Sequence, residues 1–230
     1  MKTKKIFIMY GAILSLIVCL VGGFFIFKTI NQKTDVDGSQ LTKDEFYSIR
    51  NNATQYQKDL YAELLEEVEN ESKDLDKISE LVAQNFVADF YTWTNKFRKN
   101  DVGGLQFVRE DIRTSVYQSA QQSVYGDMYY YLNNGGLKNT LEIEEVTVDN
   151  AEKIDFFIYD KEGSKDIYDE DLKKWMDGDY HEAYKVKVSW KYKNTDSFDS
   201  NVYDDEANVI LMLNEKGAPM IVEVNQTYED

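Results

Sequence analysis

The sequence predicts an α+β fold with its helices first and an antiparallel sheet after them, on three observations. Apolar residues recur at three-to-four spacing from Phe46 to Leu132, they recur at alternate positions from Leu137 to Val224, and Asn133-Asn134-Gly135-Gly136 separates the two regimes. A run of helices followed by a run of strands places the helices on one face of an antiparallel sheet. The expected order is an N-terminal transmembrane helix, a long helix, further helices, and a curved sheet of four to five strands.

The first element precedes the helical half. After Lys2, Lys4 and Lys5 the chain carries no charge from Ile6 to Phe27, and Lys28 closes the run. At about 1.5 Å per residue this segment reaches about 33 Å, enough to cross the hydrocarbon core of a bilayer. A secretory signal peptide also begins basic and turns apolar. This run exceeds the usual apolar region, and Phe24-Phe25-Ile26-Phe27 leads into Lys28 without a small-x-small cleavage site. Val18 stands where a lipoprotein motif at Cys19 needs a small residue. The excess of lysine before the span assigns residues 1–5 to the cytoplasm and everything after Lys28 to the exterior. The expectation is a single-pass plasma-membrane protein whose working part is extracytoplasmic. Gly11, Ser15, Cys19 and Gly23 recur every four residues, a stripe suited to pairing of spans. The competing reading is a plain spacer, since small residues are common in spans.

Charge and cysteine narrow the exterior part. The net charge is −16, and the first 28 residues hold lysines and no acid, so the remainder is more acidic still. Such a domain is repelled by nucleic acid and by anionic headgroups, which argues against nucleic-acid partners. The one cysteine is Cys19. The exterior therefore has neither a disulfide framework nor a thiol nucleophile and must stand on its core. A single proline among many Lys, Asn, Asp and Tyr residues suits an AT-rich bacterial genome.

Residues 28–41 read as a polar linker. The stretch DVDGSQLTKDEF has the alternating carboxylates of a calcium loop, but Gln40 takes the glycine position and Glu45 arrives one residue early. A turn leading into a capping box of Thr42 and Glu45 fits better. That cap opens a long acidic helix over 42–72, with Phe46, Ile49, Ala53, Tyr56, Leu60, Leu64 and Val68 as a narrow apolar stripe. A second helix spans about Asp74 to Asn95 within the remaining domain, 73–230, and Asp101-Val102-Gly103-Gly104 breaks it. A third covers about Gln106 to Leu132, kinked or divided at Gly126. Strands are expected at Leu137–Val148, Lys153–Tyr159, Ala183–Tyr192, Ala207–Leu213 and Met220–Val224, the last two joined by the turn Asn214 to Ala218.

Chemistry is sparse. His181 is the only histidine, so no histidine metal cluster forms within one chain and any Ser-His-Asp triad would depend on it. Asp177 to Glu182 looks like a loop entering a strand. No phosphate-cradling glycine loop, G-x-S-x-G or H-E-x-x-H occurs. Neither Asp160–Asp171 nor the loop with Asp196, Asp199, Asp204 and Asp205 has calcium-loop spacing, and both read as solvated insertions. No catalytic residue, cofactor site or metal site is assigned. Lys185, Lys187, Lys191 and Lys193 line one face of the third strand. They offer an edge to an acidic partner or pair with Glu142, Glu144 and Glu223 on neighbouring strands.

The order of cytoplasmic stub, one span, a long helix, further helices and a curved antiparallel sheet resembles the bitopic scaffold proteins of type IV secretion and Gram-positive conjugation. The stretch VAQNFVADFYTWTNKF, the turn DVGG and the strands from Leu137 onward carry the likeness, which covers about Asp74 to Val224. It is one of topology and size. The resemblance implies a nuclear-transport-factor-2-like exterior domain and a non-enzymatic assembly factor that oligomerises and docks other channel components. The acidic helix after Lys28 has no counterpart in that pattern. The expected partners are other membrane or envelope proteins and further copies of the chain. The alternative is a cone-shaped domain that binds a small ligand or acts as an enzyme, with a perturbed acid in a pocket among the tyrosines and tryptophans.

Overall fold

The computed structural model describes residues 40–43, 46–133, 140–159, 167–169, 174–176, 178–195 and 199–225. Among these the chain is α+β, with four helices packed against an antiparallel sheet of five strands.

The N-terminal part departs from expectation. Gln40–Lys43 (β1) and Ser48–Arg50 (β2) form a two-stranded antiparallel pair in which Thr42 lies opposite Ile49. Thr42 is therefore no helix cap, and Glu45 lies outside the described residues. The first helix is Gln55–Glu69 (α1), and its capping box belongs to Thr54 and Gln57. The Gln57 amide donates to Thr54 Oγ1 at 3.2 Å while the Thr54 amide donates to Gln57 Oε1 at 2.9 Å. The expected helix over 42–72 thus begins thirteen residues late, because the T-x-x-E/Q pattern occurs twice within that range and only the second copy lies past the turn at Asn51-Asn52. Tyr47, Ser48, Ile49 and Arg50 are buried in succession, which no amphipathic helix allows.

Leu75–Phe90 (α2) is capped by Asp74, whose carboxylate accepts from the amides of Asp76 and Lys77. It ends sooner than its apolar stripe suggested. The chain turns away at Tyr91, and the Trp93 amide donates to Leu141 O at 2.7 Å, next to the first sheet strand. Glu110–Gln122 (α3) and Val124–Asn133 (α4) replace the single third helix. The division falls at Ser123, three residues before Gly126, where the Ser123 hydroxyl and amide both return to Ser119 O.

Ile143–Val148 (β3) starts six residues after its expected start, Glu152–Tyr159 (β4) lies where expected, Gly178–Tyr192 (β7) starts five residues early and takes in Gly178 to Glu182, which were expected as a loop, and Glu206–Leu213 (β8) and Pro219–Asn225 (β9) lie where expected. Between β4 and β7, Ile167–Asp169 (β5) and Lys174–Met176 (β6) make a small separate hairpin. The order is β3-β7-β8-β9, and β4 also pairs with β7. β3 lies against Val188 to Tyr192 and β4 against Gly178 to Lys185, so the two follow one another along the same edge of β7.

The core lies between the sheet and α2, which packs on β3, β7 and β9, with α1 outside it. Tyr184, Val186, Val188 and Trp190 of β7 meet Phe86, Phe90 and Tyr91. Phe86 and Phe90 stack at 5.1 Å, and Tyr91 stacks on Trp190 at 4.6 Å. The face of the sheet away from the helices carries a second, smaller apolar cluster, in which Ile154, Phe156 and Ile158 cover Ala183, Ile210, Met212 and Val222.

Candidate functional site

Two arrangements of polar side chains stand out, one inside the molecule and one on the sheet. The inner one starts with α2, whose spacing puts Asn85 and Asp89 on one face a turn apart. Asp89 is 6% exposed and Arg50 7%, so both charges require partners. Lys96, in the turn after α2, is 2% exposed. Its ammonium donates to Asp89 O at 2.6 Å, Asp89 Oδ1 at 3.1 Å, Thr92 O at 2.6 Å and Asn95 Oδ1 at 3.0 Å. The other carboxylate oxygen, Asp89 Oδ2, accepts from the Gly104 amide at 2.7 Å and Gln106 Nε2 at 3.1 Å and lies 3.5 Å from Arg50 Nε. Arg50 Nη1 also pairs with Asp101.

Backbone geometry makes this cluster fit. A Cβ on Gly103 would lie 2.3 Å from Asp89 O, and Gly104 has φ 75°, so the turn that presents its amide to Asp89 needs both glycines. The Gly103 amide donates to the Tyr125 hydroxyl at 2.7 Å, which itself donates to Phe90 O at 2.8 Å. α4 is thereby tied to the same turn.

Electrostatics follow from burial and neighbours. Burial opposes the Asp89 charge, yet Lys96, Arg50 and the Gly104 amide together hold the carboxyl well below the usual carboxylate range. Burial pulls the Lys96 ammonium down to about 8, with Asp89 opposing the shift. Burial also pushes the Tyr125 phenol far up. The adjoining cavity, lined by Arg50, Gln57, Asn85, Asp89 and Gln106, has a volume of about 10 Å³. That is space for a single water and for no substrate. With its charges mutually satisfied, the cluster holds the turn 95–106 in place.

The outer arrangement lies on the far side of the sheet. The lysine face of β7 is largely paired within the sheet: Lys191 with Glu145 at 2.7 Å, Lys193 with Glu142 at 2.5 Å and Lys187 with Glu206 at 3.6 Å. Lys185 has no ion pair among the described residues. Glu142 is thus a partner as expected, whereas Glu145 and Glu206 take the places foreseen for Glu144 and Glu223. The hydrogen bond that the Lys191 ammonium donates to the Glu145 carboxylate raises its pKa above the ordinary value. Glu145, Thr147, Ser189, Lys191, Asp205 and Glu206 line an open groove of about 250 Å³.

The remaining sequence candidates fall elsewhere. Gly11, Ser15, Cys19 and Gly23 lie outside the described residues, as does the whole run 6–27. Among the described residues no helix is long and apolar enough to cross a membrane, and no three metal-ligating side chains are grouped to hold an ion. His181 is exposed on β7 opposite Phe156, inside a strand. Asp127 acts electrostatically on Tyr203, and partial burial raises its carboxyl, but it stands on the exposed side of α4. Sequence reasoning missed Arg50, Asp89, Lys96 and Tyr125 as a unit. The signal was present, since Asp89 interrupts the apolar stripe of a buried helix and DVGG follows it at short range. No protein-family model, curated protein or solved structure matches the chain.

Proposed function

We propose that the chain is a membrane-anchored extracytoplasmic scaffold, a self-associating interaction module of a cell-envelope assembly of the conjugation or type IV secretion kind, with a nuclear-transport-factor-2-like exterior domain. One observation carries the reading. Among the described residues, the sheet face that would line the pocket of a ligand-binding cone is filled, because Tyr184, Val186, Val188 and Trp190 are buried in one core with Phe86 and Phe90 of α2, and Trp190 stacks on Tyr91 just past the helix end. The accessible features, the groove and the charged ladder of β7, lie on the outer face, where a partner protein can reach them. Interfaces favour such mixed polar rims around apolar patches. The anchor is inferred from the uncharged run 6–27 and its flanking lysines.

The test is crosslinking and pull-down of the full chain from intact cells. Neutralising Lys185, Lys187, Lys191 and Lys193 to Gln is expected to remove envelope proteins from the pull-down while leaving the melting temperature close to that of the parent, since exposed ion pairs contribute little. Unchanged recovery of those proteins, with unchanged activity of the apparatus, would remove β7 as the docking face. Protection of the exterior domain from protease added to whole cells, under conditions that digest an exposed control, would remove the topology.

A further inference from the structure

β4 is an edge strand whose inner side is bound to β7 along its whole length, while among the described residues no backbone group pairs with the outer side of Glu152 to Phe156. The neighbouring edges are closed. The Tyr56 hydroxyl accepts the Val146 amide at 2.7 Å, Gln84 Nε2 donates to Val146 O at 3.2 Å, and Glu80 accepts the Ala151 amide at 3.2 Å. On the opposite edge of the sheet the Arg109 amide donates to Ile221 O at 2.9 Å. The helices stop covering the sheet where β4 begins, and edges left open in this way pair with other strands.

We propose that β4 pairs antiparallel with β4 of a second copy of this chain, about a two-fold axis at Ile154. Charge pairing favours this occupant and register. With Ile154 opposite its own copy, Lys153 falls opposite Asp155 of the copy and Asp155 opposite Lys153, two opposite-charge cross-strand pairs. Moving the axis one residue either way brings Asp155 against Asp155 or Lys153 against Lys153, which like-charge repulsion disfavours. Both side chains are free to exchange partners. Lys153 is held loosely, by Glu182 at 4.0 Å with both side chains more than half exposed and by the Tyr184 ring 5.6 Å from its ammonium, and Asp155 has no ion pair among the described residues. On the face away from the helices, the half-buried strip of Ile154, Phe156 and Ile158 becomes continuous with that of the copy across the axis. An isologous contact of this kind closes on itself and gives a dimer. The inference rests on the self-associating, anchored reading above, because confinement of two copies in one membrane supplies the effective concentration that a short edge contact needs.

The experiment uses the full chain in membranes, with Cys19→Ser to remove the native thiol and Ile154→Cys to report the axis. Residues directly opposite in an antiparallel pair lie within disulfide reach, so oxidation is expected to give a homodimer. Lys153→Asp alone and Asp155→Lys alone are each expected to abolish the crosslink, and the double reversal Lys153→Asp/Asp155→Lys to restore it, with circular dichroism melting unchanged throughout. No crosslink at position 154, a crosslink indifferent to the charge reversals, or a product with the mass of a different protein would each overturn self-pairing. Loss of envelope proteins from the pull-down with the position-154 dimer intact would count against the scaffold reading alone.

Discussion

At the scale of single residues, the molecule concentrates its charge conflict at Asp89 and resolves it with two cations and two neutral donors. Removing one member of a buried ion pair leaves an uncompensated charge, so Lys96→Met is expected to destabilise the domain by about 3 to 5 kcal/mol in urea unfolding. The acid limb of stability also belongs to this carboxylate. Asp89 has an ordinary value of 3.8 and a lower one when folded, so below about pH 4 the unfolded chain takes up a proton that the folded chain refuses. Stability therefore falls with acidification. Asp89→Asn, destabilised at neutral pH, is expected to show a flatter fall in melting temperature between about pH 5 and pH 3; an acid limb as steep as the parent's would assign it to other carboxylates. Gly103→Ala is expected to be more damaging than Gly217→Ala. The first drives a methyl into Asp89 O, and the second adds only the strain of φ 82° in open space. Little of this was legible beforehand. The sequence marks Gly103 and Gly104 as a turn, but it does not say that Arg50, 39 residues before Asp89, closes on the same carboxylate, because such pairing is set by tertiary packing alone.

At the scale of elements, the two T-x-x-E/Q patterns supply a direct comparison. Thr54→Ala is expected to cost about 1 kcal/mol by chemical unfolding, the usual loss on removing an N-cap hydroxyl, and Thr42→Ala close to nothing. Equal losses would contradict the start of α1 at Gln55. The strands of the main sheet were readable because β7 alternates Tyr184, Val186, Val188 and Trp190 with Lys185, Lys187, Ser189 and Lys191, a period of two that no helix shares. The β1–β2 pair was not readable for the converse reason. Phe46, Ile49 and Ala53 happen to fall at helical spacing, and the burial of Tyr47 and Arg50 between them depends on Phe107, Pro219 and Asp89. The split between α3 and α4 shows the same limit, since the helix gives way at Ser123, whose hydroxyl returns to the backbone, and Gly126 lies already inside the next turn.

At the scale of the whole molecule, α2 and β7 are the members that touch most of the rest. β7 pairs with β3 and β4 on one side and with β8 on the other, and α2 spans β3, β7 and β9. Amide hydrogen exchange is therefore expected to be slowest in Val186, Val188 and the middle of α2, near the rate of global unfolding, and faster by orders of magnitude in β2. Comparable protection in β2 and β7 would refute this hierarchy. The outline of a helical layer on an antiparallel sheet was legible from the change of period at Asn133. The filled interior was not, because alternation tells which residues face inward without telling whether they meet.

The Tyr47 hydroxyl holds Pro219 O at 2.8 Å, and Arg50 grips Asp89 and Asp101, so the first described strands are clasped to both ends of the fold's core. If the chain is tethered by its N-terminus, mechanical load from the tether enters through that clasp before it reaches the sheet. Pulled from residue 40, the molecule should yield first at Tyr47 and Arg50, peeling the hairpin away and paying out a few nanometres of slack while the outer face of the sheet keeps its shape.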